Sequence, residues 1–176
     1  MRKKTINSQI VICGRGGQGV LFVTRLIDEA ASALGNSVIS SETHGMAMRG
    51  GSVASYVRIG GYMSPLIRTG EADILIALSK HEIPLNKHLL KKQDPQIYVN
   101  AQGRRYRALD ATKIAAGLGS VVSANLVLLG FACAHSRFPF EYETLRTVLE
   151  SISPGRFVQT NLNALSEGFN SFNHQH

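Results

Sequence analysis

The stretch Gln9-Ile10-Val11-Ile12-Cys13-Gly14-Arg15-Gly16-Gly17-Gln18-Gly19-Val20 decides the fold class. Its first five residues form a short, apolar, β-branched run, the pattern of a strand buried on both faces of a parallel sheet. The next six match Gly-x-Gly-x-x-Gly. After Gly19, the apolar residues Val20, Val23, Leu26, Ile27, Ala30, Ala31 and Leu34 recur at helical spacing, and Gly35-Asn36 supplies a C-terminal stop. Residues 37–42 then read as a second strand. The result is a strand, glycine loop, helix, strand unit whose crossover is expected to be right-handed.

Outward from this unit, residues 43–51 (Thr-His-Gly-Met-Ala-Met-Arg-Gly-Gly) lack periodicity and read as an unusually long loop. Residues 52–59 predict a strand, Gly60-Gly61 a turn and residues 62–67 a return strand, so that a hairpin is inserted between the first and third parallel strands. Residues 72–79 predict a second buried strand, 81–91 a helix and 96–100 another strand. The remainder reads as helical. Asp110 is placed to cap a helix running to about Leu118, Ser123 to cap the apolar helix 124–135, and Pro139 precedes an amphipathic helix over 141–152. A final helix begins near Asn161. With no repeat, low-complexity tract or linker, residues 1–176 are expected to form a single domain. The expected class is α/β: a Rossmann-like, mostly parallel sheet with an inserted β-hairpin and C-terminal helices.

Composition narrows the function. An apolar fraction of 44% and a charged fraction of 18% are those of a globular chain. No run approaches the ~20 apolar residues of a membrane-spanning helix, and Met1-Arg2-Lys3-Lys4 leads into a strand instead of a signal-peptide core. A cytoplasmic location is expected, with no membrane partner. The two cysteines, Cys13 and Cys133, sit in separate apolar runs, fitting buried thiols in a reducing compartment. Iron-sulfur clusters take four thiolates and structural zinc four close ligands, so no metal site is expected in this chain. The net charge of +7 raises nucleic-acid binding. However, the basic residues are scattered in short groups without an RNP-type, helix-turn-helix or zinc-finger pattern. No nucleic-acid partner is therefore expected.

Two constellations have the makings of a site. Gly14, Gly16, Gly17 and Gly19 let the backbone turn sharply and approach a ligand, and the following helix N-terminus carries roughly half a positive charge that favours phosphate or carboxylate. Glu42 falls where a dinucleotide-binding fold places its ribose-binding acid, which makes a stand-alone NAD- or FAD-binding regulatory module an alternative. On the bland reading, the glycines only make a tight turn, with Gln18 capping it or meeting a neighbouring subunit. Cys13 reads as buried packing and not as a nucleophile. The second constellation, Glu42-Thr43-His44-Gly45-Met46-Ala47-Met48-Arg49-Gly50-Gly51-Ser52-Val53, follows the end of a strand. Its methionines, Arg49, Gly50 and Gly51 suit an adaptable binding or interface surface. His44 beside Glu42 fits a structural hydrogen bond better than an acid-base pair. His81, His88, His135, His174 and His176 are isolated and expected at the surface, and no catalytic residue is assigned.

Together, these two motifs closely resemble the gamma domain of 2-oxoacid:ferredoxin oxidoreductases, the pyruvate/ketoisovalerate oxidoreductase gamma family. Ser64-Pro65-Leu66-Ile67, Gly70-Glu71-Ala72-Asp73-Ile74-Leu75, Ala124-Asn125-Leu126-Val127-Leu128-Leu129-Gly130 and Asn161-Leu162-Asn163-Ala164-Leu165 extend the resemblance over nearly the whole chain. The His-Gly-Met-Ala-Met-Arg-Gly-Gly-Ser-Val form and Ser64-Pro65-Leu66-Ile67 look most like the beta subunit of indolepyruvate ferredoxin oxidoreductase, although Met48 stands where many relatives carry Gln.

The resemblance implies a non-catalytic, gamma-type subunit, inactive alone, of a complex that oxidatively decarboxylates a 2-oxoacid such as indolepyruvate with coenzyme A. The products would be acyl-CoA, carbon dioxide and reduced ferredoxin. Thiamine diphosphate, Mg and [4Fe-4S] clusters would reside in partner subunits, because this chain shows neither a Gly-Asp-Gly motif nor cluster cysteines. Gly14, Gly16, Gly17, Gln18, Gly19, Arg49, Gly50 and Gly51 would then line the coenzyme A path or a subunit interface.

Overall fold

In the computed structural model, residues 5–44, 50–103 and 105–172 are described, His44 by its backbone alone. The predicted first unit is present: β1 (Ser8–Arg15), the glycine loop, α1 (Val20–Ala33) and β2 (Val38–His44). β3 (Ser52–Ile59) and β4 (Ile74–Ala77) follow, then α2 (Ile83–Asn86), β5 (Gln96–Asn100), β6 (Arg107–Leu109) and α3 (Ala111–Gly117). The chain ends in α4 (Ala124–Cys133), α5 (Tyr142–Ile152) and α6 (Val158–Asn170). The strands make a six-stranded sheet in the order β2-β3-β1-β4-β5-β6. β1, β4, β5 and β6 pair in parallel, whereas β3 runs antiparallel to both β1 and β2.

That placement of β3 overturns the expected hairpin. Residues 62–67 form no strand. Both hydrogen-bonding edges of β3 are already taken, by β1 on one side and β2 on the other, which leaves no edge for a return strand. The segment is instead strapped across the sheet: the Arg58 guanidinium donates to the carbonyls of Ser64 (3.0 Å) and Leu66 (2.8 Å), and the Tyr62 hydroxyl to Asn7 Oδ1 (2.7 Å). The strand-loop-helix-strand unit is altered too, because β2 lies beside β3 and not beside β1.

The helix expected over 81–91 is a string of tight turns, Lys80–Glu82, Ile83–Asn86 and Lys87–Leu89, with Pro84 in the first turn of α2. β6 had no sequence signal, being only three residues long. The Asp110 cap is present, its carboxylate accepting from the Lys113 N–H at 3.0 Å. Ser123 makes no side-chain cap; its hydroxyl pairs with that of Ser120 at 2.9 Å. α6 starts at Val158, three residues before the predicted position.

Strand alternation sorts the core into two clusters. Ile10, Ile12, Val57, Ile59, Ile74, Ile76 and Tyr98 face a cluster built with α1, α3, α4, α5 and α6. Val11, Cys13, Ala54, Leu75, Ala77 and Val99 face the other way, under Ile67, Ile83, Leu89 and Leu90. Within the thicker layer, α4 is buried from Asn125 to Cys133, as a helix apolar on all sides must be. It crosses α6 at two glycines. A Cβ on Gly130 would meet the Leu165 carbonyl oxygen at 2.0 Å, and one on Gly168 the Val127 carbonyl oxygen at 1.9 Å, so this approach requires glycine on both helices.

Candidate functional site

The two motifs meet at the carboxyl end of β1. There the backbone N–H of Gly16 donates to the carbonyl of Gly51 at 2.9 Å, while Arg15 and Ser52 are paired in the β1/β3 ladder. Gly50-Gly51 therefore meets the glycine loop 14–19 because β3 returns alongside β1, a juxtaposition that follows from sheet order and not from sequence distance, while Thr43 and His44, expected in the loop, belong to β2. The site lies where the chain leaves β1 toward β2 on one side and β4 toward β5 on the other, the crevice that open α/β sheets use for ligands.

Gln18 braces the glycine loop from within. Its Oε1 accepts from the Arg15 N–H at 2.7 Å, and its Nε2 donates to the Leu78 carbonyl at 3.4 Å, linking the loop to the end of β4. Gly19, the N-cap of α1, has φ 79°, and a Cβ there would lie 2.2 Å from Asn125 Nδ2. Only glycine meets both demands. In turn, Asn125 donates to the Gly19 carbonyl at 3.3 Å and accepts from the Leu126 N–H at 2.8 Å, fixing the start of α1 against the start of α4.

A buried carboxylate, missed in the sequence, secures the other loop. Glu82 is 3% exposed and accepts a 2.5 Å hydrogen bond from the Ser52 hydroxyl. Thirty residues separate the pair, so no local pattern announces it; the only hint is an acidic residue just past the end of a buried strand. Along the same edge, Asn100 donates to the Leu78 carbonyl at 3.3 Å and to Thr112 Oγ1 at 2.8 Å. The carboxyl ends of β1, β4 and β5 thus carry a continuous line of polar side chains.

Cys13 lies beneath this line and is fully buried. Its pKa is pushed up to about 12, by desolvation first and by the nearby Glu82 carboxylate second, which leaves no thiolate at neutral pH. Burial likewise raises Cys133 to about 12, and both thiols are free.

Other sequence-predicted positions fall elsewhere. Glu42 is exposed on the edge strand β2 opposite Ser55, with β3 between it and β1. At about 4.8 Å per strand, that sets it roughly twice as far from the glycine loop's strand as a neighbouring strand would, so the ribose-binding geometry of the dinucleotide alternative is not formed. Arg49, with residues 45–48, lies outside the described residues, as does the side chain of His44. His135 is not at the surface. It is half-buried among the rings of Tyr98, Phe131 and Phe172, with Nδ1 2.9 Å from the Phe131 carbonyl. Among the described residues, no three His, Cys, Asp or Glu side chains gather as a metal site would require, and no helix is long and apolar enough to cross a membrane.

Residues 9–171 match the family described as pyruvate ferredoxin/flavodoxin oxidoreductase. The chain belongs to this family. The indolepyruvate oxidoreductase subunit IorB of Archaeoglobus fulgidus is 36% identical, the match covering 92% of this chain and 93% of that protein. IorB of Methanothermobacter thermautotrophicus is 33% identical, covering 93% and 97%. Among solved structures, the gamma subunit of a keto/oxoacid ferredoxin oxidoreductase from Geobacter sulfurreducens superposes with a TM-score of 0.76 at 25% identity, covering 95% of this chain and 99% of that one. The gamma-type resemblance read from the motifs is borne out over the full length of these oxidoreductase subunits.

Proposed function

We propose that residues 1–176 act as one gamma-type domain, the non-catalytic subunit of a cytoplasmic complex that oxidatively decarboxylates indolepyruvate or a related 2-oxoacid with coenzyme A. In that reaction the bond from the carboxylate carbon to the keto carbon breaks and releases carbon dioxide. The acyl carbon is bonded to the thiol sulfur of coenzyme A, and the electrons pass to ferredoxin. Thiamine diphosphate with Mg and [4Fe-4S] clusters, held by partner subunits, supply the carbanion and electron-transfer chemistry. With two cysteines in all, this chain lacks the four thiolates that a cluster takes.

The observation that carries the reading is the junction at Gly16 and Gly51, together with exposed apolar side chains beside the start of α1. Leu21 on α1 is 42% exposed, Val122 78% and Phe157 46%. Phe22, Val122 and Phe157 line one hollow with Asn125, the residue that anchors Gly19. An internally braced loop with exposed apolar side chains near the helix it opens fits a subunit interface better than a solvated turn. Gly16, Gly17, Gly19, Gly50 and Gly51 then face the thiamine-binding subunit and the coenzyme A path, a path to which Arg49 is assigned by its residue type alone, while Gly14 is buried in the β1/β3 ladder beneath them. Gln18 keeps that face in shape.

The test is co-purification from native extract through a C-terminal tag, with mass spectrometry of the partners and an absorbance scan for cluster colour. Wild-type chain is expected to carry thiamine-binding and cluster-bearing subunits, and Val122→Glu to lose them. Arg49→Ala is expected to keep assembly and raise the KM for coenzyme A. A wild-type chain that emerges alone and colourless overturns the reading. Unchanged coenzyme A kinetics in Arg49→Ala removes that residue from the path.

A further inference from the structure

β2 is one edge of the sheet, and among the described residues no strand lies along its outer side. The ladder decides which of its backbone groups face outward. The Gly60 N–H donates to the Ser37 carbonyl at 2.8 Å, and the register runs on unbroken from Val38 opposite Ile59 to His44 opposite Val53. Hydrogen-bonded pairs alternate in an antiparallel ladder, so Ser37, Ile39, Ser41 and Thr43 spend their N–H and C=O groups on β3. Those of Val38, Ser40 and Glu42 point away from it, at intervals of roughly 7 Å along the strand. The side chains of these same three residues lie on the α1 face: Val38 packs on the helical core, and the Ser40 hydroxyl donates to Asp28 Oδ2 of α1 at 2.8 Å.

Two features mark this edge as a place for another chain. First, it is not blunted. Edge strands are normally protected by shortness, proline, lysine or a bulge, and β6 at the opposite edge is three residues long. β2 has seven residues, an even register without a bulge, and no Pro, Gly, Lys or Arg. Second, it is acidic in a chain of net charge +7. Asp28 and Glu29 on α1 and Glu42 on β2 gather on the side where the outward backbone groups lie, and among the described residues none of them has a Lys or Arg at ion-pair distance. Their proximity shows in Asp28, whose Oδ1 is buried without a hydrogen-bond partner among the described residues. Burial pushes its carboxyl above the ordinary value, the Ser40 bond opposes this, and the Glu29 and Glu42 charges add to the rise. A second copy pairing β2 with β2 about a twofold axis would set these acids against their own kind, which is destabilising across strands. A basic segment meets no such penalty.

We propose that the outer edge of β2 takes up an extended, basic polypeptide segment as a seventh strand, with Lys or Arg at alternate positions over Asp28, Glu29 and Glu42. Main-chain bonds to Val38, Ser40 and Glu42 supply the affinity, and the carboxylates select the partner by charge. The proposal stands apart from the subunit reading, since it uses only β2 and α1 and neither of the glycine-bearing loops.

Fluorescence anisotropy on the full chain, with a labelled, end-capped Val-Lys-Val-Lys-Val-Lys-Val peptide as probe, tests it. The peptide is expected to bind at sub-millimolar concentration and more weakly as salt rises. The same peptide N-methylated at alternate amides is expected to bind about tenfold more weakly or worse, as is its counterpart with Glu in place of Lys. The Glu29→Lys/Glu42→Lys variant is expected to lose about tenfold for the Lys peptide; both positions are exposed, and circular dichroism checks that the variant folds. Amide exchange at Ser40 and Glu42 should slow when the peptide is added. Absence of binding at millimolar peptide overturns the proposal. So does binding indifferent to N-methylation, which would be adsorption by charge alone, or slowed exchange confined to other strands. A chain that sediments as a dimer, with the Ser40 and Glu42 amides already protected, overturns it in favour of a second copy on this edge.

Discussion

On one face of the sheet, α1, α3, α4, α5 and α6 bury Ile10, Ile12, Ile74, Ile76 and Tyr98 in a continuous core. On the other, Val11, Cys13, Leu75 and Val99 are roofed, among the described residues, by Ile67, Ala72 and the short turns carrying Ile83, Leu89 and Leu90. The thick layer is held by regular helices whose backbones nearly touch at Gly130 and Gly168. The thin layer is held by single side chains reaching across loops: Glu82 to Ser52, and Asn86 Nδ2 to the Glu82 carbonyl at 2.9 Å. Side chains buried on the two faces gain comparably per unit of apolar area. The faces differ in how many independent contacts must fail before a segment opens, and segments with few buried contacts open first. On the thin face, Glu82 also ties down Ser52, next to Gly50-Gly51.

Three substitutions sharpen or break this contrast. The largest effect is expected from Gly168→Leu, because even its Cβ would sit 1.9 Å from a backbone oxygen that cannot move without displacing α4. A loss of about 4 kcal/mol or failure to fold is expected in chemical denaturation. A cost below about 1 kcal/mol would show that the helical layer is not the rigid one. Next comes Glu82→Ala on the thin face, expected to cost about 1–3 kcal/mol by leaving the Ser52 hydroxyl without its acceptor. Amide exchange should accelerate over residues 80–90 and around Ser52 while α4 and α6 stay protected; equal acceleration in α4 would merge the two layers into one cooperative unit.

The smallest effect is at the rim. Asp110 accepts from Gln102 Nε2 at 2.8 Å and from the Lys113 N–H at 3.0 Å, and these bonds, Gln102 first, hold its carboxyl below the ordinary range. Asp110→Ala is expected to cost about 1 kcal/mol at neutral pH. A depressed folded-state pKa stabilises above the unfolded value and is lost as pH falls through the folded one, so the gap between wild type and variant should close in acid. A gap that widens in acid would contradict the assigned bonds.

Much of this molecule was legible in its residues, for reasons that can be stated. β1 and α1 follow from a β-branched run meeting a 3.6-residue repeat across a glycine loop, both local signals. The Asp110 cap was equally local. The predicted return strand over 62–67 failed because strand propensity carries no information on whether a neighbouring edge is free, and β3 had none. The 81–91 helix failed because its apolar spacing was kept while Pro84 and the short roof imposed separate turns. His135 looked isolated because its ring partners are Tyr98, Phe131 and Phe172, two of them distant in sequence.

The residues alone determined the fold class, the family resemblance and the two loops that matter, because each is written in contiguous stretches whose chemistry is local. Tertiary structure decided that those loops touch at Gly16 and Gly51, that Glu42 is held one strand away from the glycine loop, and that Glu82 anchors Ser52. It alone left the outer edge of β2, among the described residues, open beside Asp28. Each of those outcomes depends on which strand lies beside which, a choice made by the whole sheet and by the helices packed on it, not by any one segment.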